Sequence, residues 1–386
     1  MPRAYLDHAS TSPLRPAARE AMVSALTHLV GDPGRIHEEG MASRVALEVA
    51  REQVAALLGA RSREVVFTSG GTESIAAAVA GAAARARDKG LVDEEGRTHQ
   101  VVTAVEHSAV RFDADRAGAV TVVPVDGRGR VDADEVLAAI TPATAAVHVQ
   151  WGNHEVGTIQ PVAEVVAACR ERGVLVHVDA AQAAGRVPIA FGDLGADLLS
   201  ISGHKLGGPS GTGALLVRRG LRVPPLLLGG DQERARRAGL EPVAALVGLG
   251  AAAEELTATL VDEAAEAVRL TDRIRAAVDE LDGVTPYGDP VHRLPHLVCV
   301  GIDGIEPQGV LLGLDRAGVA AHSGSACATE SLEPSPVLEA MGVDAHRSLR
   351  ISVGWDTTDA HVDQLEAALP ATIDRLRALG AAAADG

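Results

Sequence analysis

The sequence predicts an α/β protein built around a mostly parallel sheet, followed by a smaller α+β region. Three observations lead to this prediction. Short runs rich in β-branched residues alternate with alanine-rich amphipathic stretches over the first half of the chain, which is typical of strands joined by crossover helices. A long helical stretch then runs from about 242 to 282. Beyond it, short strands and helices alternate less regularly.

Seven runs are predicted as the strands of the central sheet. Each is short and apolar, and most are separated from the next by a stretch with helical spacing. In chain order they are EVVFTS, QVVTAVE, VTVVPVD, TAAVHVQW, VLVHVDAAQ, ADLLSIS and GALLVRR.

The remainder of the chain predicts a second, smaller domain. The long helix is followed by LVCVGI, a helix over about 308–316, VAAHS, SLRISVG and a final helix from about 358. We therefore assign residues 15–255 to a large domain. Residues 1–14 and 256–386 are assigned to a small α+β domain that carries Cys327.

Composition limits the classes of function. The 386 residues are 47% hydrophobic and 23% charged, which is enough for two compact cores. The formal net charge is −17, from 35 basic and 52 acidic residues, so no nucleic-acid partner is expected. The first residues do not resemble a signal peptide, and no apolar run reaches about 18 residues. We therefore expect a cytoplasmic protein with no membrane partner.

A glycine-containing loop is the first candidate binding site. Ser69-Gly70-Gly71-Thr72 follows a predicted strand and opens a predicted helix, where backbone amides and the positive helix end favour an anion. An ordinary glycine turn capped by Thr72 is the alternative. A second glycine run, GGPSGTG at 207–213, lacks the nucleotide-binding patterns.

Polar residues follow three predicted strands, at the edge where open α/β sheets bind ligands: His107, Asp179 with Gln182, and Lys205. A lone histidine there is often only a capped or solvated side chain. A lysine after one strand and a carboxylate on the neighbouring strand suit a pyridoxal 5'-phosphate enzyme. In such enzymes the lysine bonds to the cofactor aldehyde and the carboxylate keeps the pyridine nitrogen protonated. His177 and Asp179 could suggest a metal, but no third ligand follows at a usual spacing, so no metal site is expected.

The three cysteines form neither a disulfide framework nor a metal-ligand spacing. Cys169 falls in a predicted helix and Cys299 in a predicted strand, so both are predicted to be core thiols. Cys327 lies in a loop of small residues, where a thiol can be exposed. Arg350 lies in the otherwise apolar SLRISVG and requires either an internal carboxylate or a substrate carboxylate.

A series of motifs runs along the chain. They are YLDHASTSPLRP, FTSGGTES, EHSAV, GNHEVGTIQP, HVDAAQAAGRVPI, SGHKLGGPSGTGALLVRR, GGDQERARRAGL, SGSACATESLEPSPVLEAMGV and LRISVG. Together they strongly resemble the cysteine desulfurases, pyridoxal phosphate enzymes of fold type I in the class V aminotransferase group. The resemblance covers about 5–354. SGSAC with the following LEPS is similar to the long-loop group, which includes the iron–sulfur assembly and nitrogen-fixation desulfurases.

The resemblance implies a role for each candidate residue. Lys205 would bond to the cofactor, Asp179 would contact the pyridine nitrogen, and His107 would stack on the ring. Arg350 would bind the substrate carboxylate, and Cys327 would be the nucleophile that forms a persulfide. The contacts to the phenolic oxygen and the phosphate would come from Gln182, Gly71, Thr72, Ser202 and His204.

The resemblance also implies the reaction and the partners. The enzyme would remove sulfur from L-cysteine, leaving L-alanine and a persulfide on Cys327 for transfer to an acceptor protein. It would act as a homodimer.

Three positions depart from the family pattern. His154 stands where the family has an asparagine that approaches the phenolic oxygen and the substrate. Asp32 places a carboxylate near the substrate, where a neutral amide is usual. Leu240 replaces a threonine that reaches the phosphate of the neighbouring subunit. We expect these changes to bear on substrate preference, rate and cofactor affinity.

Related activities remain open on the sequence alone. They are selenocysteine lyase, a C–S lyase, another enzyme of the class V aminotransferase family, and a catalytically impaired sulfur-relay scaffold. Cys327 argues against an aminotransferase, which has no use for a thiol there. The intact Lys205, Asp179, His107 and Cys327 argue against the impaired scaffold.

Overall fold

The computed structural model describes residues 3–323 and 334–384, so Cys327 lies outside the described residues. Helices and strands are numbered in chain order. The strands are β1 (Ala4–Tyr5), β2 (Val65–Thr68), β3 (Thr98–Thr103), β4 (Gly118–Val123), β5 (Thr144–Gln150), β6 (Leu175–Asp179), β7 (Leu198–Ser202), β8 (Gly213–Val217), β9 (Val284–Tyr287), β10 (Leu297–Ile302), β11 (Val319–Ala320) and β12 (Ser348–Ser352). The helices are α1 (Pro16–His28), α2 (Glu38–Leu57), α3 (Gly71–Asp88), α4 (Ser108–Ala117), α5 (Ala133–Ala138), α6 (Val162–Glu171), α7 (Phe191–Leu194), α8 (Gln232–Ala235), α9 (Val243–Asp279), α10 (Pro307–Arg316), α11 (Pro336–Ala340) and α12 (Asp359–Ala384).

The central sheet has the order β2-β8-β7-β6-β5-β3-β4. All seven predicted strands are present, and the prediction of a mostly parallel sheet is confirmed. Strand β8 is the exception, since it runs antiparallel to both β2 and β7. It follows β7 through a short turn and the glycine run at 207–213, and this connection contains no crossover helix.

The long helix α9 confirms the helical stretch predicted from about 242 to 282. By length and composition it could cross a membrane. In the fold it packs along α1 and α2, and it contributes to two separate apolar cores. Leu249 and Leu256 belong to the core of the central sheet, whereas Leu270 and Ile274 belong to the second core.

The second core lies beside a three-stranded antiparallel sheet of order β12-β10-β9. Strand β1 pairs with β11, and Ala4 and Leu6 are buried in the same core, so the first residues of the chain join its last third. Helix α9 runs through the proposed boundary at residue 255 without a break. The division into residues 15–255 and residues 1–14 with 256–386 stays a prediction.

Candidate active site

A cleft opens where β5, β6 and β7 end, and it is bordered by the start of α3 and by β12. Because parallel strands end at the same edge of the sheet, the segments that follow them bring together residues that are distant in sequence. The predicted site residues that line this cleft are Gly71, Thr72, His107, His154, Asp179, Gln182, Ser202, His204, Lys205 and Arg350.

Lys205 lies in the single 3-10 turn that follows β7, with its side chain in the cleft. Burial lowers the pKa of its amine to about 8, although the Asp179 carboxylate opposes this shift. An amine with that pKa is partly neutral near pH 7, and the neutral form is the nucleophile. Lys89, the other lysine of the chain, is exposed at the end of α3. Lys205 is therefore the chain's one lysine in this cleft.

Two buried arginines hold the turn that carries Lys205, and the sequence analysis did not identify either of them. Nη2 of Arg186 donates a hydrogen bond to the Lys205 carbonyl at 3.3 Å, and Nε of Arg15 donates to the Leu206 carbonyl at 3.0 Å. Arg15 is in turn paired with two glutamates of α9, Glu255 and Glu263, each at 2.6 Å. Both arginines lie in quoted motifs, but their distance along the chain from Lys205 hides the contact.

Asp179 ends β6, the strand that pairs with β7, and is buried. Its Oδ1 accepts a hydrogen bond from the Ala181 N–H at 3.0 Å. Burial raises the pKa of this carboxyl, while the Ala181 N–H and Lys205 act in the opposite direction. The carboxyl thus lies in the same cleft as the lysine, as strand order requires.

Two histidine rings meet in the cleft. The ring centroids of His107 and His154 are 5.2 Å apart, in an edge-to-face arrangement with 65° between the planes. His107 caps the start of α4, where its Nδ1 accepts a hydrogen bond from the Ala109 N–H at 3.1 Å. Burial, followed by the nearby His154 and Lys205, lowers the pKa of His107 to about 3. The ring of His107 is therefore neutral, with its proton on Nε2.

Glu106 is a buried carboxyl beside the cleft that the sequence analysis did not assign. Its Oε1 accepts hydrogen bonds from the Thr103 hydroxyl at 2.7 Å and from the Gln150 N–H at 2.8 Å. Among the described residues its Oε2 has no partner. Burial raises the pKa of Glu106 to about 8, and the Asp179 carboxyl adds to the rise. Glu106 is therefore a neutral acid near pH 7.

The Ser69–Thr72 loop forms one wall of the cleft. Helix α3 begins at Gly71, so its first backbone amides point toward the cleft. A side chain on Gly71 would bring its Cβ to 3.2 Å from the Ser202 Cβ, which explains the glycine at this close approach. Glu73, in the first turn of α3, accepts from the Ser69 N–H at 2.9 Å and pairs with Arg237 at 2.9 Å.

The donor set of the cleft fits pyridoxal 5'-phosphate. The amides at the start of α3 and the side chains of Thr72, Ser202 and His204 can hold a phosphate. The Asp179 carboxyl and the Lys205 primary amine line the same cleft, and these are the groups that a pyridine nitrogen and an aldehyde require. The Nε2 of Gln182 donates to the Ala9 carbonyl at 2.8 Å, which fixes this side chain at the edge of the cleft.

Arg350 has an internal carboxylate partner, one of the two alternatives left open by the sequence. Its Nη2 donates to Asp7 Oδ1 at 3.0 Å and to the Ser10 hydroxyl at 2.6 Å, while Nη1 donates to the His154 carbonyl at 2.8 Å. The Arg350 Nε is buried and has no partner among the residues that the structure describes. Since the side chain also lines the cleft, binding of a substrate carboxylate stays a prediction.

The structure does not bring every predicted residue to the cleft. Asp32 lies between α1 and α2, is paired with Arg35 at 3.1 Å, and is not among the lining residues. Leu240 is 63% exposed. Cys169 and Cys299 are buried, as predicted for core thiols, and burial raises the pKa of their thiols to about 11 and about 12.

His177 is part of a buried hydrogen-bonded chain across the sheet. Its Nδ1 lies 3.0 Å from the Nδ1 of His148, and its Nε2 lies 2.8 Å from the Ser200 hydroxyl. The other ring nitrogen of His148 contacts Gln100 Oε1 at 3.0 Å. Over residues 3–323 and 334–384, no group of three or more His, Cys, Asp or Glu side chains could hold a metal ion. These histidines therefore serve as a buried polar network.

Comparison with known proteins gives matches over nearly the full chain. The profile of the family described as "Aminotransferase class-V" matches residues 4–365. A protein named cysteine desulfurase from Trichormus azollae is 41% identical over 383 residues, which cover 97% of this chain and 94% of that protein. A solved structure titled "NifS-like protein" superposes with a TM-score of 0.88 at 30% identity, covering 97% of this chain and 100% of the other. A second, titled "SspA in complex with cysteine", gives a TM-score of 0.78 at 29% identity and covers 91% and 99% of the two chains.

Proposed function

The chain belongs to the class V aminotransferase family and, within it, to the cysteine desulfurases, and from this premise we propose that it removes sulfur from L-cysteine. The family resemblance read from the motifs is thus confirmed. The observation that carries the proposal is the half-buried Lys205 side chain in one cleft with the buried Asp179 carboxyl, in a chain closely related to desulfurases.

We propose pyridoxal 5'-phosphate as the cofactor. When bound, it supplies an aldehyde that bonds to amines and a ring that accepts electrons from the α-carbon of an amino acid. The residues that would hold the ring are Asp179 and Gln182, with His107 beside it. The residues that would hold the phosphate are Gly71, Thr72, Ser202 and His204.

Lys205 provides a base for the chemistry at the substrate. Because its pKa is lowered to about 8, a neutral amine is available near pH 7 both to bond and to accept a proton. Arg186 and Arg15 hold the carbonyls of Lys205 and Leu206, so the turn keeps the amine in the cleft. The side chain can then move a proton to and from the substrate α-carbon.

Cys327 is the proposed sulfur acceptor within the enzyme. Its thiolate would attack the sulfur of L-cysteine, so that the carbon–sulfur bond breaks and a sulfur–sulfur bond forms. The products would be L-alanine and a persulfide on Cys327, from which an acceptor protein takes the sulfur. His107, a neutral ring with its proton on Nε2, would donate a hydrogen bond to a ligand in the cleft.

The function is tested by incubating the purified protein with L-cysteine. L-alanine and protein-bound persulfide should appear in equal amounts in a single turnover. Release of free sulfide with pyruvate and ammonia, and with no persulfide or alanine, would instead indicate a direct lyase. Absence of both alanine and pyruvate would reject both activities.

We also propose a homodimer. Helix α2 exposes Met41, Val45 and Val49 at a spacing of four residues, and Leu26 and Ile36 are exposed nearby in sequence. A row of exposed aliphatic side chains is typical of a surface that a partner covers. Light scattering should give twice the mass of one chain, and Val45→Glu should lower the measured mass.

A cytoplasmic location is proposed as well, supported by the free thiols of Cys169 and Cys299.

A further inference from the structure

We propose, on the basis of the pyridoxal 5'-phosphate site above, that Arg237 is a positioning residue for the phosphate end of the cleft. It acts through Glu73, a carboxylate in the first turn of α3. Arg237 neutralises this carboxylate and fixes it against the Ser69–Thr72 loop. The pair thereby determines how strongly the site prefers a phosphorylated cofactor over the same cofactor without its phosphate.

The cleft offers little positive charge to an anion. Among the described residues, the only lysine and arginine side chains that line it are Lys205 and Arg350. Arg350 is already paired with Asp7 at 3.0 Å, and the Lys205 amine bonds to the aldehyde of a bound cofactor. A phosphate therefore depends on the backbone N–H groups at the start of α3 and on uncharged side chains. An unpaired carboxylate among these groups would repel it.

Glu73 is a carboxylate in that position. It lines the cleft next to Thr72, and its side chain is only 13% exposed. Its Oε2 accepts a hydrogen bond from the Ser69 N–H at 2.9 Å. Because Ser69 begins the loop and Glu73 follows it in α3, this bond ties the two ends of the loop together. The loop therefore gains a fixed conformation from Glu73, together with a negative charge that has to be balanced.

Arg237 balances that charge through a two-pronged contact. Its Nε donates to Glu73 Oε1 at 2.9 Å, and its Nη2 donates to Glu73 Oε2 at 3.2 Å. Two such bonds fix the orientation of the carboxylate as well as its charge. Burial raises the pKa of Glu73, but the hydrogen bonds from Arg237 and Ser69 outweigh burial and lower it, so the carboxyl is ionised near pH 7. Arg237 itself does not line the cleft, so it acts through Glu73.

The segment that leads to Arg237 has an unfavourable backbone conformation. Glu233, Arg234 and Ala235 have φ angles of 49°, 60° and 60°, in the left-handed region. Residues with a side chain rarely adopt this conformation, and three in succession are costly. Such a turn persists only where the surrounding structure holds it. It ends two residues before Arg237, so it sets the direction from which the guanidinium reaches Glu73.

Buried contacts hold this left-handed turn. The Glu233 carboxylate accepts hydrogen bonds from Nη1 and Nη2 of Arg51 at 2.6 and 2.8 Å, and from the Phe67 N–H at 2.8 Å. Phe67 belongs to β2, the strand that leads into the Ser69–Thr72 loop. The turn and the loop are thus attached to the same strand, and the pair of Arg237 with Glu73 connects them a second time. The strained turn therefore serves to place Arg237 beside the loop.

The test compares two forms of the cofactor. The cofactor is removed from the purified full-length protein, and absorbance titrations then measure its affinity for pyridoxal 5'-phosphate and for pyridoxal, which lacks the phosphate. In Arg237→Gln, the affinity for pyridoxal 5'-phosphate should fall about 10-fold because the unpaired Glu73 carboxylate repels the phosphate, while the affinity for pyridoxal should change by less than about twofold. Arg269→Gln, which breaks an exposed ion pair with Glu266 on α9, is the matched control and should leave both affinities unchanged.

Two further variants separate the charge of the pair from its contribution to folding. The double variant Glu73→Gln with Arg237→Gln removes the unpaired carboxylate, so its affinity for pyridoxal 5'-phosphate should be higher than that of Arg237→Gln. Arg237→Lys keeps the positive charge and should retain most of the affinity, which preserves the comparison if Arg237→Gln does not fold. The proposal is overturned if Arg237→Gln binds pyridoxal 5'-phosphate as wild type does, if the double variant binds it no better than Arg237→Gln, or if any of these variants loses affinity for both compounds equally.

These titrations do not depend on turnover, so they separate this proposal from the proposed function. A wild-type protein that binds neither compound would reject the cofactor, and the role of Arg237 with it. A wild-type protein that binds pyridoxal 5'-phosphate but forms no persulfide from L-cysteine would reject the desulfurase function alone. In that case the two affinities still decide the role of Arg237.

Discussion

The guanidinium of Arg186 donates a hydrogen bond to the carbonyl of Lys205, the lysine at the centre of the cleft. The same nitrogen donates to the Ser12 hydroxyl at 2.9 Å. Burial lowers the pKa of Arg186 to about 10, and the nearby Arg15 adds to the decrease. Burying a cation beside only a hydroxyl and a carbonyl costs free energy. We therefore expect that Arg186 acts by fixing the turn that carries Lys205.

Arg186→Gln should therefore reduce cofactor retention more than overall stability. The lost charge-assisted hydrogen bonds cost about 1.5–3 kcal/mol each, while removal of a buried charge offsets part of that loss. Absorbance of bound cofactor after dialysis, compared with Tm, measures the two effects separately. Full retention together with a lowered Tm would show that Arg186 supports the fold and not the turn.

Lys205→Ala should abolish covalent attachment of the cofactor and all turnover. Because the chain has two lysines, Lys89→Ala is a matched control at an exposed site. Borohydride reduction followed by peptide mass spectrometry should place the cofactor on the peptide containing Lys205 in wild type and in Lys89→Ala. A labelled peptide in Lys205→Ala would refute the assignment.

Glu106→Gln should change how stability depends on pH. Since the folded-state pKa of Glu106 is raised to about 8, its contribution to stability is complete below the unfolded-state pKa of about 4.3 and is lost as pH rises toward 8. Glutamine has nearly the same shape and does not titrate. The free energy of unfolding of Glu106→Gln, relative to wild type, should increase by up to about 1.4 kcal/mol per pH unit across this window.

Urea denaturation at several pH values between about 5 and 8 measures this difference, provided that unfolding is two-state. Glu52→Gln, at an exposed position of α2, is the control and should show little pH-dependent difference from wild type. A constant offset between Glu106→Gln and wild type would mean that Glu106 is ionised in the folded protein.

Much of the fold could be predicted from the sequence because most strands of the central sheet are buried and rich in β-branched residues. The direction of β8 could not, since an apolar run such as GALLVRR has the same pattern in either orientation. The short connection after β7 determines it. Likewise, VAAHS indicated the segment that contains β11, but the two residues of β1 carry too little pattern to be recognised, so the pairing of β1 with β11 could not be predicted.

The site was predictable where strand ends converge, as for His107, Asp179 and Lys205. Residues whose role depends on contacts with residues distant in sequence could not be predicted. Glu106 is next to His107 in sequence, yet its raised pKa arises from burial that only the packed sheet creates. Arg186 reaches Lys205 through a carbonyl, a contact with no sequence signature.

Cys327→Ser tests the step that separates a desulfurase from a direct lyase. The variant keeps Lys205 and Asp179, so L-cysteine should still bind and change the absorbance of the bound cofactor. Serine lacks a polarisable thiolate that can take the sulfur, so persulfide should be absent and alanine formation should fall to a low level.

Cys169→Ser and Cys299→Ser are the matched controls for that substitution. Both thiols are buried, so a hydroxyl in their place should cost about 1–3 kcal/mol of stability if it finds no partner, and persulfide formation should persist. Mass spectrometry after a single turnover with L-cysteine locates the added sulfur atom. If Cys327→Ser consumes L-cysteine at the wild-type rate and releases sulfide, pyruvate and ammonia, the enzyme needs no thiol of its own, and a lyase that eliminates sulfide directly replaces the desulfurase mechanism.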